Sequence, residues 1–267
     1  MLQRLEMDAA GHRRLIDHCK KIGIQFLSSP FDEQSADLLA EMDLPLYKVP
    51  SGEITNLPFL EHIARKGRPI ILSTGMSTLG EVEEAIGTLR GAGAVQLTLL
   101  HCVTEYPAPY EEVNLRAMQT LKTAFRLPVG YSDHTPGIEV AIAAVALGAE
   151  VIEKHFTLDR SLPGPDHAAS LEPEELREMV SAIRHIEAAL GDGIKVPTKS
   201  EIPNISVARK SVVATRALTA GHSLILNDLT IKRPGNGIAP KLLPALIGRT
   251  LSRSVDKDET IQWESLA

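Results

Sequence analysis

Short apolar runs recur along the first two-thirds of the chain, each closing on small or polar residues. They are IQFLSSPF (24–31), LYKVPSGE (46–53), PIILSTGM (69–76), LTLLHCVT (97–104), LPVGYSDH (127–134) and EVIEKHFT (150–157). Runs of this length, rich in Ile, Leu and Val, predict strands buried on both faces. Between them lie segments with apolar residues at helical spacing, such as LGEVEEAIGTLRGAG (79–93) and GIEVAIAAVALGA (137–149). A helix-like stretch over 7–21 precedes the first run, and 171–193 predicts a long helix with a Gly-rich stop. Alternating strand and helix imply a parallel sheet, because parallel strands need a crossover. Six units fall two short of a closed (β/α)8 barrel, so the expected fold is α/β, a TIM-type barrel lacking its first two strands.

Beyond residue 193 the texture changes. IKVPTKSEIPNIS (194–206) is polar and proline-bearing, which predicts a linker over 194–207 between a barrel unit (1–193) and a small β-rich unit (208–267). In the latter, TRALTAGHSLILNDL (215–229) and SRSVDKDETIQWESL (252–266) echo each other at an offset of 37. Two copies are too few for a solenoid and suggest a two-lobed domain.

Composition narrows the class. With 43% hydrophobic and 23% charged residues among 267, the chain has the makeup of a globular protein. A net charge of −6 without clusters gives no nucleic-acid footprint. No apolar run approaches a membrane span, and MLQRLEMDAAGHRR lacks the apolar core of a signal peptide. Two cysteines do not make a disulfide framework, and a reduced cytoplasm is the expected location.

The unusual polar residues sit at the C-terminal ends of the strands, where parallel β/α folds bind ligands. His134 and His155 end the last two runs. On neighbouring strands about 4.8 Å apart they would share one space, and two neutral imidazoles with open positions suit a catalytic divalent metal. Glu153, two residues before His155, points to the same face and could orient a ligand or a bound water. The competing reading makes each histidine a strand-end cap. The other ends supply Ser28, Ser29, Lys48, Ser51, Ser73, Thr74 and Ser132, donors and one cation suited to a phosphate or carboxylate. Ordinary turn chemistry is the alternative. His101 and Cys102 read as core residues. Tyr106 is available to the pocket, and Asp166 could bind a sugar hydroxyl or be a solvated acid.

Taken in order, FLSSPFDEQSADLL, YKVPSGEITNLPFL, ILSTGMST, LLHCVTEYPAPYEEVNL, GYSDHTPG, IEKHFTLDRSLPGPDHAASL and IKRPGNGI resemble the sialic acid synthase family along essentially the whole chain. That resemblance implies a TIM barrel followed by an antifreeze-like (SAF) β domain. It implies a phosphoenolpyruvate-dependent synthase that condenses the enol with the aldehyde of N-acetylmannosamine or a related amino sugar and releases phosphate. It assigns His134 and His155 to a Mn2+ or Mg2+ ion, and Ser29, Lys48, Ser51, Ser73 and Ser132 to phosphoenolpyruvate. Glu153, Thr104, Tyr106 and Asp166 fall at sugar-contacting positions. Arg233 and Asn236 would reach the sugar of a partner subunit in a domain-swapped homodimer. Thr104 stands where sialic-acid-making bacterial relatives often carry asparagine, which makes a 2,4-diacetamido sugar, as in legionaminic acid synthesis, the alternative substrate. Members begin with two further strands, bearing a glutamate and a lysine. Their absence predicts an incomplete barrel, and a fragment retaining carbohydrate binding is the non-catalytic alternative. An isomerase or aldolase acting on sugar phosphates is the third reading, with Lys48 the one Schiff-base candidate.

Overall fold

The computed structural model describes residues 7–267; residues 1–6 of the expected barrel unit lie outside the described residues. The chain divides into two compact units, Met1–Asp192 and Gly193–Ala267.

In the first unit, strands β1 (Tyr47–Val49), β2 (Ile70–Ser73), β3 (Leu97–Cys102), β4 (Val129–Asp133) and β5 (Ile152–Lys154) form one parallel sheet in sequence order. The sheet curls into part of a barrel. Helices α1 (Ala9–Ile22) and α2 (Glu33–Glu41) precede β1, and α3 (Leu57–Ala64), α4 (Leu79–Gly91), α5 (Ala117–Phe125), α6 (Glu139–Ala146) and α7 (Pro173–Leu190) each follow one strand. Their starts follow local chemistry. Asp8 accepts from the Gly11 amide to open α1, and Thr78 and Glu81 form a reciprocal capping box at α4.

The sheet has five strands where the apolar runs predicted six. Residues 24–30 form no strand; Phe26 packs partly buried against the core, while Ile24 is exposed. A strand exists only through its pairing, which a local pattern cannot report. Pro30, moreover, offers no N–H to a ladder.

Period-two alternation divides each strand between two faces. Tyr47, Val49, Ile70, Leu72, Leu97, Leu99, Val129 and Tyr131 join one cluster with Phe59, Leu60 and Ile63 of α3 and Val82, Ile86 and Leu89 of α4. The alternate residues face the concave side. The register aligns Cys102 with Ser132 and Ser132 with Glu153. Two positions further along the three strands stand Thr104, His134 and His155. Gly130 is required at its place, since a Cβ there would lie 2.3 Å from the Val151 carbonyl oxygen.

In the second unit, β6 (Ser211–Ala214) and β7 (Leu229–Lys232) pair antiparallel. Its core gathers Val212, Leu218, Leu224, Leu246, Leu251, Val255 and Ile261. The sequence echo has a structural counterpart. Leu218 and Val255, equivalent at the offset of 37, exchange two backbone hydrogen bonds of 2.9 Å. The bridges Val213–Thr260 and Ser223–Thr250 are likewise equivalents with partners exchanged, so the two lobes face each other across a local two-fold. The stretch expected as a plain linker over 194–207 carries helix α8 (Ile202–Ala208), which Pro203 can enter because the first helical turn needs no N–H there. Among the described residues, no helix is long and apolar enough to cross a membrane.

Candidate active site

The concave face of the sheet opens at its C-terminal end into a cavity of about 450 Å³. Ser29, Lys48, Ser51, Ser73, Thr104, Tyr106, Ser132, His134, Glu153 and His155 all line it. Ten residues singled out along the sequence therefore converge on one wall. Asp166 stands just outside, its Oδ2 3.8 Å from Nδ1 of His155. Arg233 and Asn236 are exposed residues of the second unit.

The two imidazoles lie side by side, ring centroids 5.3 Å apart and planes at 67°. Nδ1 of His134 donates to the Val103 carbonyl oxygen at 2.6 Å, which places the ring proton there. Burial pushes the His134 imidazole below its ordinary pKa, and the neighbouring His155 adds to that against the pull of the Val103 carbonyl. The ring is thus neutral near pH 7, with its Nε2 lone pair toward the cavity. Ser132 Oγ is 3.4 Å from that nitrogen but gives its hydrogen to Glu153 at 2.6 Å, so Nε2 stays available. A neutral imidazole presenting a bare nitrogen beside a second imidazole fits a divalent ion with open positions. Among the described residues, no group of three or more His, Cys, Asp and Glu is arranged to hold one. A bound ion would thus take its remaining partners from water or substrate. Tyr106 covers both rings, 4.2 Å from His134 and 5.3 Å from His155 between centroids.

The anion-binding half is built from Lys48 and hydroxyls. Lys48 Nζ is 3.3 Å from Glu153. Among the described residues, Ser73 Oγ is buried with no hydrogen-bond partner, an orphaned donor in the cavity wall. Ser51 Oγ accepts from the Gly75 amide at 2.9 Å and lies 3.1 Å from Cys102 Sγ.

Two expected rim residues turn elsewhere. Thr74 points to the helix side and donates to the Leu100 carbonyl at 3.0 Å, while Ser28 lies 3.4 Å from His12 of α1. Thr74 directly follows the inward-facing Ser73, and alternation excludes it; Ser28 belongs to the stretch that forms no strand and turns to α1 instead. The same alternation places Cys102 on the cavity wall, which its apolar surroundings in the sequence concealed. His101 turns outward and bonds the Val113 carbonyl at 2.8 Å, a satisfied core histidine.

Comparison with known proteins decides the family. The family model described as NeuB matches residues 1–195, and the SAF domain model matches 209–267. The chain belongs to the NeuB family. The N,N'-diacetyllegionaminic acid synthase of Campylobacter jejuni is 54% identical over 98% of this chain and 79% of its own length. The enzyme of the same name from Legionella pneumophila is 47% identical over 100% and 76%. Among solved structures, the N-acetylneuraminic acid synthetase of Leptospira borgpetersenii superposes with a TM-score of 0.71. It is 39% identical, over 75% of this chain and 70% of its own. This NeuB-family chain is accordingly an enzyme of the synthase type, with a SAF domain as its second unit. The resemblance read from its motifs holds.

Proposed function

We propose that this NeuB-family protein condenses phosphoenolpyruvate with the open-chain aldehyde of a 2,4-diacetamido sugar of the mannosamine type, giving a nonulosonic acid and phosphate. The observation that carries the reading is the convergence on one cavity of a cationic hydroxyl-lined half and a paired-imidazole half. The names of the Campylobacter and Legionella relatives favour the diacetamido sugar over N-acetylmannosamine, and Thr104 in the sugar half agrees with that choice.

In this reading, the C3 carbon of the enol forms a bond to the aldehyde carbon, and water adds at C2. The C2–O bond to phosphate then breaks, so one water is consumed and one phosphate leaves. Lys48, Ser29, Ser51, Ser73 and Ser132 hold the phosphate and carboxylate by charge-assisted hydrogen bonds. Held by His134 and His155, a Mn2+ or Mg2+ ion would supply Lewis acidity at the aldehyde. Glu153 sits between Lys48 and Ser132, placed to take a proton from a sugar or water hydroxyl. Tyr106, Thr104 and Asp166 orient the sugar. Arg233 and Asn236 reach it from the second copy of a cytoplasmic homodimer.

The test is phosphate release from phosphoenolpyruvate with Mn2+ and either sugar. Release is expected with the diacetamido sugar and much less with N-acetylmannosamine. No metal-dependent phosphate with either sugar rejects the proposal, and preference for N-acetylmannosamine rejects its choice of sugar.

A further inference from the structure

We infer that the buried ion pair between Asp133 and Lys154, on the helix-facing side of the sheet, is a positioning device for His134 and His155 on the other side. The inference rests on the metal-site reading above. Asp133 and Lys154 are register partners, with side chains 0% and 3% exposed. Asp133 Oδ2 accepts from Lys154 Nζ at 2.8 Å. Its Oδ1 accepts from the Thr135 amide at 2.9 Å and the Thr135 hydroxyl at 2.7 Å. Lys154 Nζ also donates to the Thr135 carbonyl oxygen. One carboxylate therefore clamps the chain on both sides of His134 and ties it to the residue before His155.

The position of this clamp along the strands gives it a role. The β4–β5 ladder ends at Asp133 and Lys154. Past it the two histidine backbones go separate ways: the His134 carbonyl accepts from Ala108 and the His155 carbonyl from Leu171, each at 2.9 Å. The ion pair is thus the last direct tie between the strands before their imidazoles diverge or meet. Stability alone gives little reason to bury two charges, since a well-packed apolar pair is often as stable. Geometric registration of the ring pair does give a reason.

The deciding variant is the apolar pair Asp133→Leu/Lys154→Met, which removes both charges and leaves neither unpaired. Mn2+ affinity is read by calorimetry, alongside thermal melting and steady-state kinetics. Melting is expected to fall by a few degrees, because the buried Thr135 amide and hydroxyl lose their acceptor, while Mn2+ affinity falls about 10-fold or more, the usual consequence of losing groups that orient metal ligands. Turnover is expected to fall with little change in KM for phosphoenolpyruvate. Should the double variant fail to fold, Thr135→Val decides. It deletes one hydrogen bond to Asp133 at constant shape and is expected to weaken Mn2+ binding by about 3-fold, a fraction of the effect of losing the whole clamp. Unchanged Mn2+ affinity in a folded variant overturns the inference and leaves the metal site standing. No Mn2+ uptake by the unaltered protein overturns both.

Discussion

Replacing Gly75 with alanine probes whether the cavity wall is built to shape. Gly75 does not adopt a positive φ, so its missing side chain matters for space and not for conformation. A Cβ there would lie 2.3 Å from Thr104 Oγ1, 2.9 Å from Ser51 Oγ and 3.0 Å from Cys102 Sγ. Ordinary contacts begin near 3.5 Å, so the Thr104 hydroxyl must retreat by about 1 Å. As a β-branched residue, Thr104 has few rotamers through which to do so. The backbone cannot yield freely either, because the Gly75 amide holds Ser51 Oγ at 2.9 Å and Ser51 in turn touches Cys102. One methyl group therefore wedges apart the anion-binding and sugar-binding halves. Overpacking of this kind costs about 1–3 kcal/mol of stability. A shift of about 1 Å in positioning groups costs roughly 100-fold in rate. Phosphate-release kinetics with both substrates should show kcat/KM reduced by about that factor, and melting should fall by a few degrees. Adding Thr104→Ala removes the nearest clash and should recover part of the lost stability. Alanine at position 75 with an unaltered rate and melting temperature would refute the reasoning.

Two further expectations concern buried groups outside the cavity. Tyr131 buries a hydroxyl with no partner among the described residues, so Tyr131→Phe should raise stability by about 1 kcal/mol in urea unfolding. Burial pushes the Asp228 carboxyl up, but hydrogen bonds from His222, the Ile225 amide and Arg216 outweigh this and hold it below the usual carboxylate range. Its contribution is therefore present above the unfolded carboxylate pKa, near 4, and lost as pH falls through the lower folded value. Asp228→Ala should destabilise the SAF unit by about 2 kcal/mol at pH 7 and flatten that acid limb in circular-dichroism melts.

The parts of the fold legible in the sequence are those set by local periodicity. Five of six apolar runs became strands, and α4 and α7 lie within their predicted stretches. The run at 24–31 failed because pairing is non-local. The site was legible for a related reason: strand-end residues of one parity must share one face, so Lys48, Ser73, Ser132, Glu153 and His155 could be grouped from spacing alone. Parity also corrects that grouping, since Thr74 adjoins the inward Ser73 and faces away. Hidden from the sequence were relations between the faces. Asp133 and Lys154 carry no pairing signal in the sequence, and only the register of β4 on β5 makes them a pair.

Charge balance in the cavity carries one further consequence. Lys48 faces Glu153 at 3.3 Å, and Lys154, whose ammonium lies on the helix-facing side, is held there by Asp133 at 2.8 Å. The fixed charges near the anion-binding hydroxyls therefore largely cancel. A multiply charged phosphate ester entering that site must draw Lys48 away from Glu153 or find positive charge elsewhere. A divalent ion on the histidines would supply it, and by linkage each ligand must then tighten the other by the same factor. Removing the Glu153 charge should mimic part of that effect without any metal. Glu153→Gln keeps the shape and frees Lys48, so calorimetric titration with inorganic phosphate in metal-free buffer should show binding several-fold tighter than in the unaltered protein, as expected for one unscreened charge a few ångströms away. Turnover should nonetheless fall, because the same substitution removes the base. Phosphate bound equally or more weakly by this variant would mean that the Lys48–Glu153 contact does not restrain the cation, and the coupling between anion and metal would need another origin.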